Sequence, residues 1–393
     1  MCQSKVKKDG PNRVSGKEKV PELRELREAV PKHCFERSLV KSTFFLARDL
    51  VVCYAIAYAA YNYLPMDDLT NPVQALGWTA YVLAEGTAMT GVWVVAHECG
   101  HQAYSDYKWV NDLVGYIFHT ALLVPYFSWQ YSHGVHHSRV NSILDGESHV
   151  PDIKRKVIGM YMKMTDALGE EAFALVQVVV HLVLGWPLYL AVGFTGAKRR
   201  PDGARFKSRP NHFNPYSELF PERMRFKAAV STVGILAMLG LLVKLGMMYG
   251  TRTMVLMYWL PYLVVNAWLV TYTWLQHTHE DLPHFGEDEW SWMRGTLCTL
   301  DRPYPWLIDE MHHHIGTTHV THHVFSKMPH YHAQEATEAM KPVLGDLYQF
   351  DPTPIHKALI ETGKRCHFVD GVEGVQYMKS VWDERKAATK KVD

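Results

Sequence analysis

Residues 75–101 read ALGWTAYVLAEGTAMTGVWVVAHECGH. From Leu76 to Ala96 the run is apolar over about 20 residues, which at ~1.5 Å per residue matches the ~30 Å hydrocarbon core of a bilayer. It ends in His97 and His101. If the helix continues through them, the i, i+4 spacing sets both imidazoles on one face where the helix leaves the membrane. Glu85 interrupts the run near its middle; a carboxylate facing lipid there costs about 2.5–3.5 kcal/mol, so it is expected to face other helices.

Outward from this segment the chain repeats the theme. A preceding run, Phe44 to Leu64, is joined to it by Pro65–Gln74, which holds Asp67 and Asp68 but no Lys or Arg. The first 41 residues carry 11 Lys+Arg and prolines at 11, 21 and 31. That asymmetry puts the N-terminal arm in the cytosol and the loop on the far side. Two further runs, Lys227–Tyr249 and Met254–Leu275, are separated only by Gly250–Thr253 and form a second hairpin. Leu113–Trp129, with His119 and Pro125, and Ala172–Gly193, with Gln177, His181 and Pro187, carry polar residues and are expected in the interface. An even number of crossings is also needed if the histidine-rich stretches on either side are to meet. The expected fold is an all-α integral membrane protein: four transmembrane helices in two hairpins, interfacial helices, and a cytosolic histidine-rich cap for two metals. Its divisions are a cytosolic arm (1–41), a membrane domain (42–350) and a cytosolic C-terminal tail (351–393).

Charge is balanced, with 41 Lys+Arg against 40 Asp+Glu, which excludes a polybasic nucleic-acid binder and an acidic disordered chain. The six cysteines form no CxxC pair, which argues against a disulfide framework or a cysteine-ligated zinc module. Histidine is the outlier: 18 of 23 lie between His97 and His149 or between His277 and His332. His133, His136 and His137, and again His319, His322 and His323, repeat an HxxHH pattern whose members share a helix face. With His97 and His101 they make eight imidazoles, more than one tetrahedral ion needs. Two metals are implied, and an all-imidazole set suits iron, copper or zinc rather than magnesium or calcium. His277, at the end of the last span, is the expected ninth ligand; His279 and His284 are expected behind the ligands or at the surface. Asp112, Asp145, Glu147 and Asp301 are candidates to accept hydrogen bonds from ligating imidazoles. A non-catalytic membrane zinc protein or transporter is the alternative of another class.

The segments HECGHQAYSDY (97–107), VPYFSWQYSHGVHHS (124–138), LQHTHEDLPHFGEDEW (275–290), THVTHHVFSKMPHYHAQEAT (318–337) and KPVLGDLY (341–348) resemble the membrane-bound acyl-lipid desaturases, most closely their Δ12 (oleate) branch. The resemblance spans about 31–350. It implies a non-haem di-iron centre held by His97 and His101, by His133, His136 and His137, and by His319, His322 and His323. It also implies O2 as co-substrate, a phospholipid-esterified oleoyl chain as substrate, and residence in the endoplasmic reticulum membrane; the charge asymmetry and the even number of crossings put both termini in the cytosol. Unactivated methylenes are not acidic, so their hydrogens must be removed by an oxidant made from O2 rather than by acid and base. The chain has no GxGxxG and no HPGG haem motif. Electrons are therefore expected from separate partners, which the resemblance implies are cytochrome b5 and its NADH-dependent reductase. Lys154-Arg155-Lys156 and Lys198-Arg199-Arg200 are candidate docking charges, or else face anionic headgroups. Gln102, Gly134 and Val135 depart from the HECGHH and HRRHH usual in plant members but spare the ligand positions. An ω3 desaturase and an oleate 12-hydroxylase remain alternatives on the same site; Glu98 and Gln102 favour Δ12 over the HDCGHG usual in ω3 members. Lys390-Lys391 resembles a dilysine retrieval signal.

Overall fold

The computed structural model describes Pro11 and residues 18–389, so Lys390 and Lys391 lie outside the described residues. It is mostly helical, with almost no sheet. The helices used below are α1 (Leu23–Ala29), α2 (Leu39–Tyr63), α3 (Pro72–Gly100), α4 (Lys108–Ala121), α5 (Tyr126–Ser138) and α6 (Lys154–Val192), then α7 (Arg225–Tyr249) and α8 (Thr251–His277). After these come α9 (His319–Val324), α10 (His330–Leu344), α11 (Ile355–Arg365) and α12 (Val381–Thr389). Among the described residues the only sheet is a pair, β1 (Pro283–Phe285) antiparallel to β2 (Val375–Tyr377), with His284 opposite Gln376.

Local chemistry fixes the hairpins. Ser38 caps α2 by accepting the Lys41 N–H at 3.3 Å. Asn71 caps α3 by accepting from Val73 at 2.9 Å, with Pro72 in the first turn, where its missing N–H costs nothing. Pro261 interrupts α8, where Val255–Trp259 widens into a π-turn. Its missing donor would leave the Met257 carbonyl bare, and the Tyr81 hydroxyl of α3 donates to that oxygen at 3.2 Å. At Gly86 a Cβ would come within 2.4 Å of the Val264 side chain, so α3 and α8 approach as closely as glycine permits. Glu85 is buried within the helices, as its cost in lipid required.

By length and apolar composition four helices suffice to cross a membrane: α2, α6, α8 and Glu222–Tyr249, which contains α7. Contacts decide which of them do. Helix α3, made less apolar by Glu85, Thr87 and Thr90, is nonetheless sandwiched between α2 and α8 as the centre of the bundle. At one end of the bundle the two hairpin tips meet, Arg252 donating to the Met66 carbonyl at 2.6 Å. At the other end α3 and α8 deliver His97 and His277.

Helix α6 touches the histidine end along its length. Arg385 of α12 reaches Asp166 at 2.6 Å, Lys364 of α11 reaches Glu171 at 2.5 Å, and Tyr189 donates to Ser132 of α5 at 3.1 Å. A crossing helix would carry one of these groups to the far side, so α6, bent at Gly169 (φ 75°), lies along the histidine side. That leaves α2–α3 and α7–α8 as two hairpins whose tips meet at the end away from the histidines. Residues 18–37, part of the basic arm, pack Leu26, Val30 and Cys34 against Val324, Phe325 and Met340 on the cap.

An epitope inserted at Asp68 is therefore expected on the membrane face opposite both termini. Protease digestion of sealed microsomes checks this, and protection of the Asp68 tag together with a terminal tag would contradict the two-hairpin arrangement.

Candidate metal centre

All nine histidines singled out by sequence converge, from four helices. His97 and His101 end α3, His133, His136 and His137 lie on α5, His277 ends α8, and His319, His322 and His323 lie on α9. They sort into two groups. His97, His101, His133, His137 and His322 place one ligand atom each within 4.8 Å of one another, and His136, His277 and His323 form a second such set. His319 joins the second, its Nε2 lying 2.9 Å from that of His277. In the first group the Nε2 atoms of His97 and His133 are 2.9 Å apart, those of His133 and His101 2.9 Å, and those of His133 and His137 3.2 Å.

Such an arrangement is hard to satisfy with protons alone. A neutral imidazole has one N–H, and several nitrogens aimed at one point cannot each find a donor. Both ring nitrogens of His323 and Nε2 of His322 are buried without partners. Converging neutral nitrogens in a buried site are what a transition-metal cation requires, so the donor set fits two such ions. Burial pushes His133, His137, His319 and His323 well below the usual imidazole value, His322 to about 3 and His136 to about 4. These side chains therefore stay neutral and ready to ligate at pH 7.

The residues behind the ligands orient them. His136 Nδ1–H donates to the Glu147 carbonyl at 2.6 Å, leaving Nε2 for a metal. The Glu147 carboxyl, raised to about 7 by burial, accepts the Ala197 N–H at 3.0 Å. Helix α9 has only six residues, too few to be stable alone, and Asp301 holds it by accepting the Val320 N–H at 2.9 Å. Tyr348 donates to the other Asp301 oxygen at 2.7 Å. None of the four carboxylates expected to accept from a ligating imidazole does so: Glu147 acts through its backbone carbonyl, and Asp301 holds the backbone of α9. Asp112 instead pairs with Lys108 at 2.8 Å, and Asp145 faces Arg199 at 3.7 Å.

Sequence reasoning missed Glu98. Its buried carboxylate lies 3.2 Å from His97 Nδ1 and 3.9 Å from His322 Nδ1, joining the first box to the third. The signal was its place inside HECGH. His279 sits apart, 3.9 Å from Asp351, and His284 is buried on β1. The run His312–His314 is spent on packing the cap to the bundle. His312 donates to Thr87 O at 2.8 Å and accepts from Tyr272 at 2.7 Å, and His313 meets Asp49 at 2.6 Å.

Residues 76–352 match the family model described as fatty acid desaturase. This chain belongs to that family. It is 44% identical to a Delta(12)-acyl-lipid-desaturase of Punica granatum over 92% of this chain and 89% of the relative. It is 44% identical to an omega-6 fatty acid desaturase, endoplasmic reticulum, of Brassica juncea over 88% and 87%, and 43% identical to a Delta(12)-fatty-acid desaturase of Arabidopsis thaliana over 88% and 87%. As a member of this family the chain is a membrane-bound oxidoreductase of acyl lipids.

His277→Ala and His322→Ala are each expected to lower metal per purified chain to one ion or fewer, whereas His279→Ala keeps the wild-type content. Elemental analysis decides, and full content in His277→Ala would remove it from the ligand set. Acid should act in the same direction on the histidines of α5 and α9. The unfolded chain takes up protons near pH 6.5 that the folded imidazoles refuse, so stability present above that pH is lost as pH falls below it. Metal retention measured after equilibration from pH 7.5 down to 5 is expected to drop through that window.

Proposed function

We propose that this protein is an acyl-lipid Δ12 desaturase that converts oleoyl to linoleoyl chains at a di-iron centre held by His97, His101, His133, His136, His137, His277, His319, His322 and His323. One observation carries the reading: a cavity with an empty volume of about 900 Å³ runs between α3, α6 and α8 and ends on His97, His133, His136, His277 and His319. Its walls are largely apolar, with Trp93, Val94, Trp186, Leu269, Val270 and Ile315 prominent, as a hydrocarbon chain requires.

The reaction balances as oleoyl plus O2, two electrons and two protons giving linoleoyl and two waters. Bound iron would supply the activation of O2 that side chains cannot. The protein's share is placement. The nine imidazoles fix two ions, and Glu147, Glu98 and Asp301 fix the imidazoles. Trp93 and Trp129 stack on His97 and His133, which keeps water from that side of the site. The apolar walls hold one pair of methylenes beside the metals; a displacement of about 1 Å in such a register can cost ~10²-fold in rate.

The relatives named as Δ12 and omega-6 enzymes support the regiochemistry, and those named for the endoplasmic reticulum support that location; the basic asymmetry of the N-terminal arm supports cytosolic termini. Cytochrome b5 and its NADH-dependent reductase are the proposed electron donors. Much of the basic charge suggested for docking is already paired within the chain, Lys154 with Glu384, Lys198 with Asp152, and Arg200 with Asp202 and Glu218. The carrier would therefore dock on a surface other than a simple basic patch.

Expression in a yeast that makes only monounsaturated fat is expected to produce linoleate, read by gas chromatography with mass spectrometry. A double bond at the ω3 position or 12-hydroxyoleate instead would reassign the chemistry to one of those branches. Gly185 lines the cavity, and a Cβ there would already lie 3.2 Å from Val270. Gly185→Leu is expected to cut turnover by ~10-fold or more with metal content unchanged.

A further inference from the structure

Away from the nine histidines, a second kind of donor cluster lies where the N-terminal segment crosses the cap. His33 and Cys34 occupy a single 3-10 turn, Lys32–Phe35, and His332 and Glu335 lie one turn apart on α10. The four offer ligand atoms within 4.8 Å of one another. His33 Nε2 is 2.8 Å from Glu335 Oε2 and 3.7 Å from Cys34 Sγ, and the His33 and His332 rings pack edge to face at 5.4 Å. In a tetrahedral zinc site, with metal–ligand lengths of about 2.0–2.3 Å, neighbouring ligand atoms are about 3.3–3.7 Å apart. The cluster is already near that spacing.

Hydrogen bonding alone is a poor account of this group. The His33–Glu335 pair is half exposed and contributes little by itself. Cys34 is buried beside Leu26, Val30, Val324 and Phe325, and its sulfur also lies 3.7 Å from His33 Nε2 with the Glu335 carboxylate close by. Burial and the Glu335 charge push the thiol up to about 11, because nothing in the group stabilises a thiolate. A divalent cation would do so, displacing the thiol proton as it binds.

We propose that His33, Cys34, His332 and Glu335 form a third metal site, which takes one zinc ion and clamps the N-terminal segment to α10. Two imidazoles, one thiolate and one carboxylate are a borderline-soft set that favours zinc over magnesium or calcium. The site joins parts of the chain that matter to the centre. His33 and Cys34 lie just before α2 enters the membrane, and α10 follows His323 after a short turn. Around the cluster, Leu26, Val30 and Cys34 pack on Val324 and Phe325, so the clamp holds the layer that backs α9.

The test uses the full-length, iron-loaded protein in lipid nanodiscs, titrated with cobalt(II) as a spectroscopic stand-in for zinc. One equivalent is expected to bind with thiolate-to-cobalt charge-transfer absorption in the near ultraviolet, a signal that the all-imidazole centre has no sulfur to produce. Cys34→Ser is expected to abolish it while iron per chain stays unchanged. Because Cys34 is packed in the interior, His332→Ala on the part-exposed rim serves if the first variant fails to fold, with cobalt affinity lowered at least ~10-fold. Wild-type protein that takes up no cobalt with this absorption overturns the site. So does absorption that survives Cys34→Ser, or unaltered affinity in His332→Ala.

Discussion

Neutral imidazole nitrogens brought together in a dry site are the constraint on which the rest of the molecule depends. Each must be uncharged to ligate and buried to exclude water, and each must be aimed by something other than the metal. The membrane helices meet the first two demands by carrying His97 and His277 to a common level at the bundle end. The hydrogen bonds of Glu147, Glu98 and Asp301 meet the third. The close contact of α3 and α8 at Gly86, and the Tyr81 bond that repairs the Pro261 break, keep those two helices in register over the span.

Most of this was legible because membrane insertion and metal ligation both leave local marks. The apolar runs Leu76–Ala96 and Met254–Leu275 reappear as the cores of α3 and α8, since length and hydropathy belong to the segment itself. His277 could be chosen over His279 because a ligand at a span end is held at the level of the site, whereas two residues further the chain has already left the helix, and His279 turns toward Asp351. The division of α5 was not legible. His133, His136 and His137 share a face in projection, yet the rotation of the helix sends His136 to one group and its neighbours to the other.

Features set by contacts distant in sequence left no such mark. Helix α6 is apolar enough to cross, and only its bonds to α11, α12 and α5 hold it on one side. Residues 18–37 look like a solvated basic arm because their apolar members, Leu26, Val30 and Cys34, are few and widely spaced. Their burial depends on a surface of α9 and α10 some three hundred residues away in the chain. Glu98 escaped for a related reason: its partner His322 comes from the far end of the domain.

The two histidine groups draw on the chain unequally, and synthesis proceeds from one end. Once α5 has emerged, four of the first group's five members exist, and only His322 is missing. Of the second group, His136 alone has then been made, and its companions await α8 and α9. A nascent chain thus holds one nearly complete metal pocket long before it holds the other. Synthesis that stops before residue 319 leaves four donors of the first group beside two of the second, so α9 is the element that completes both.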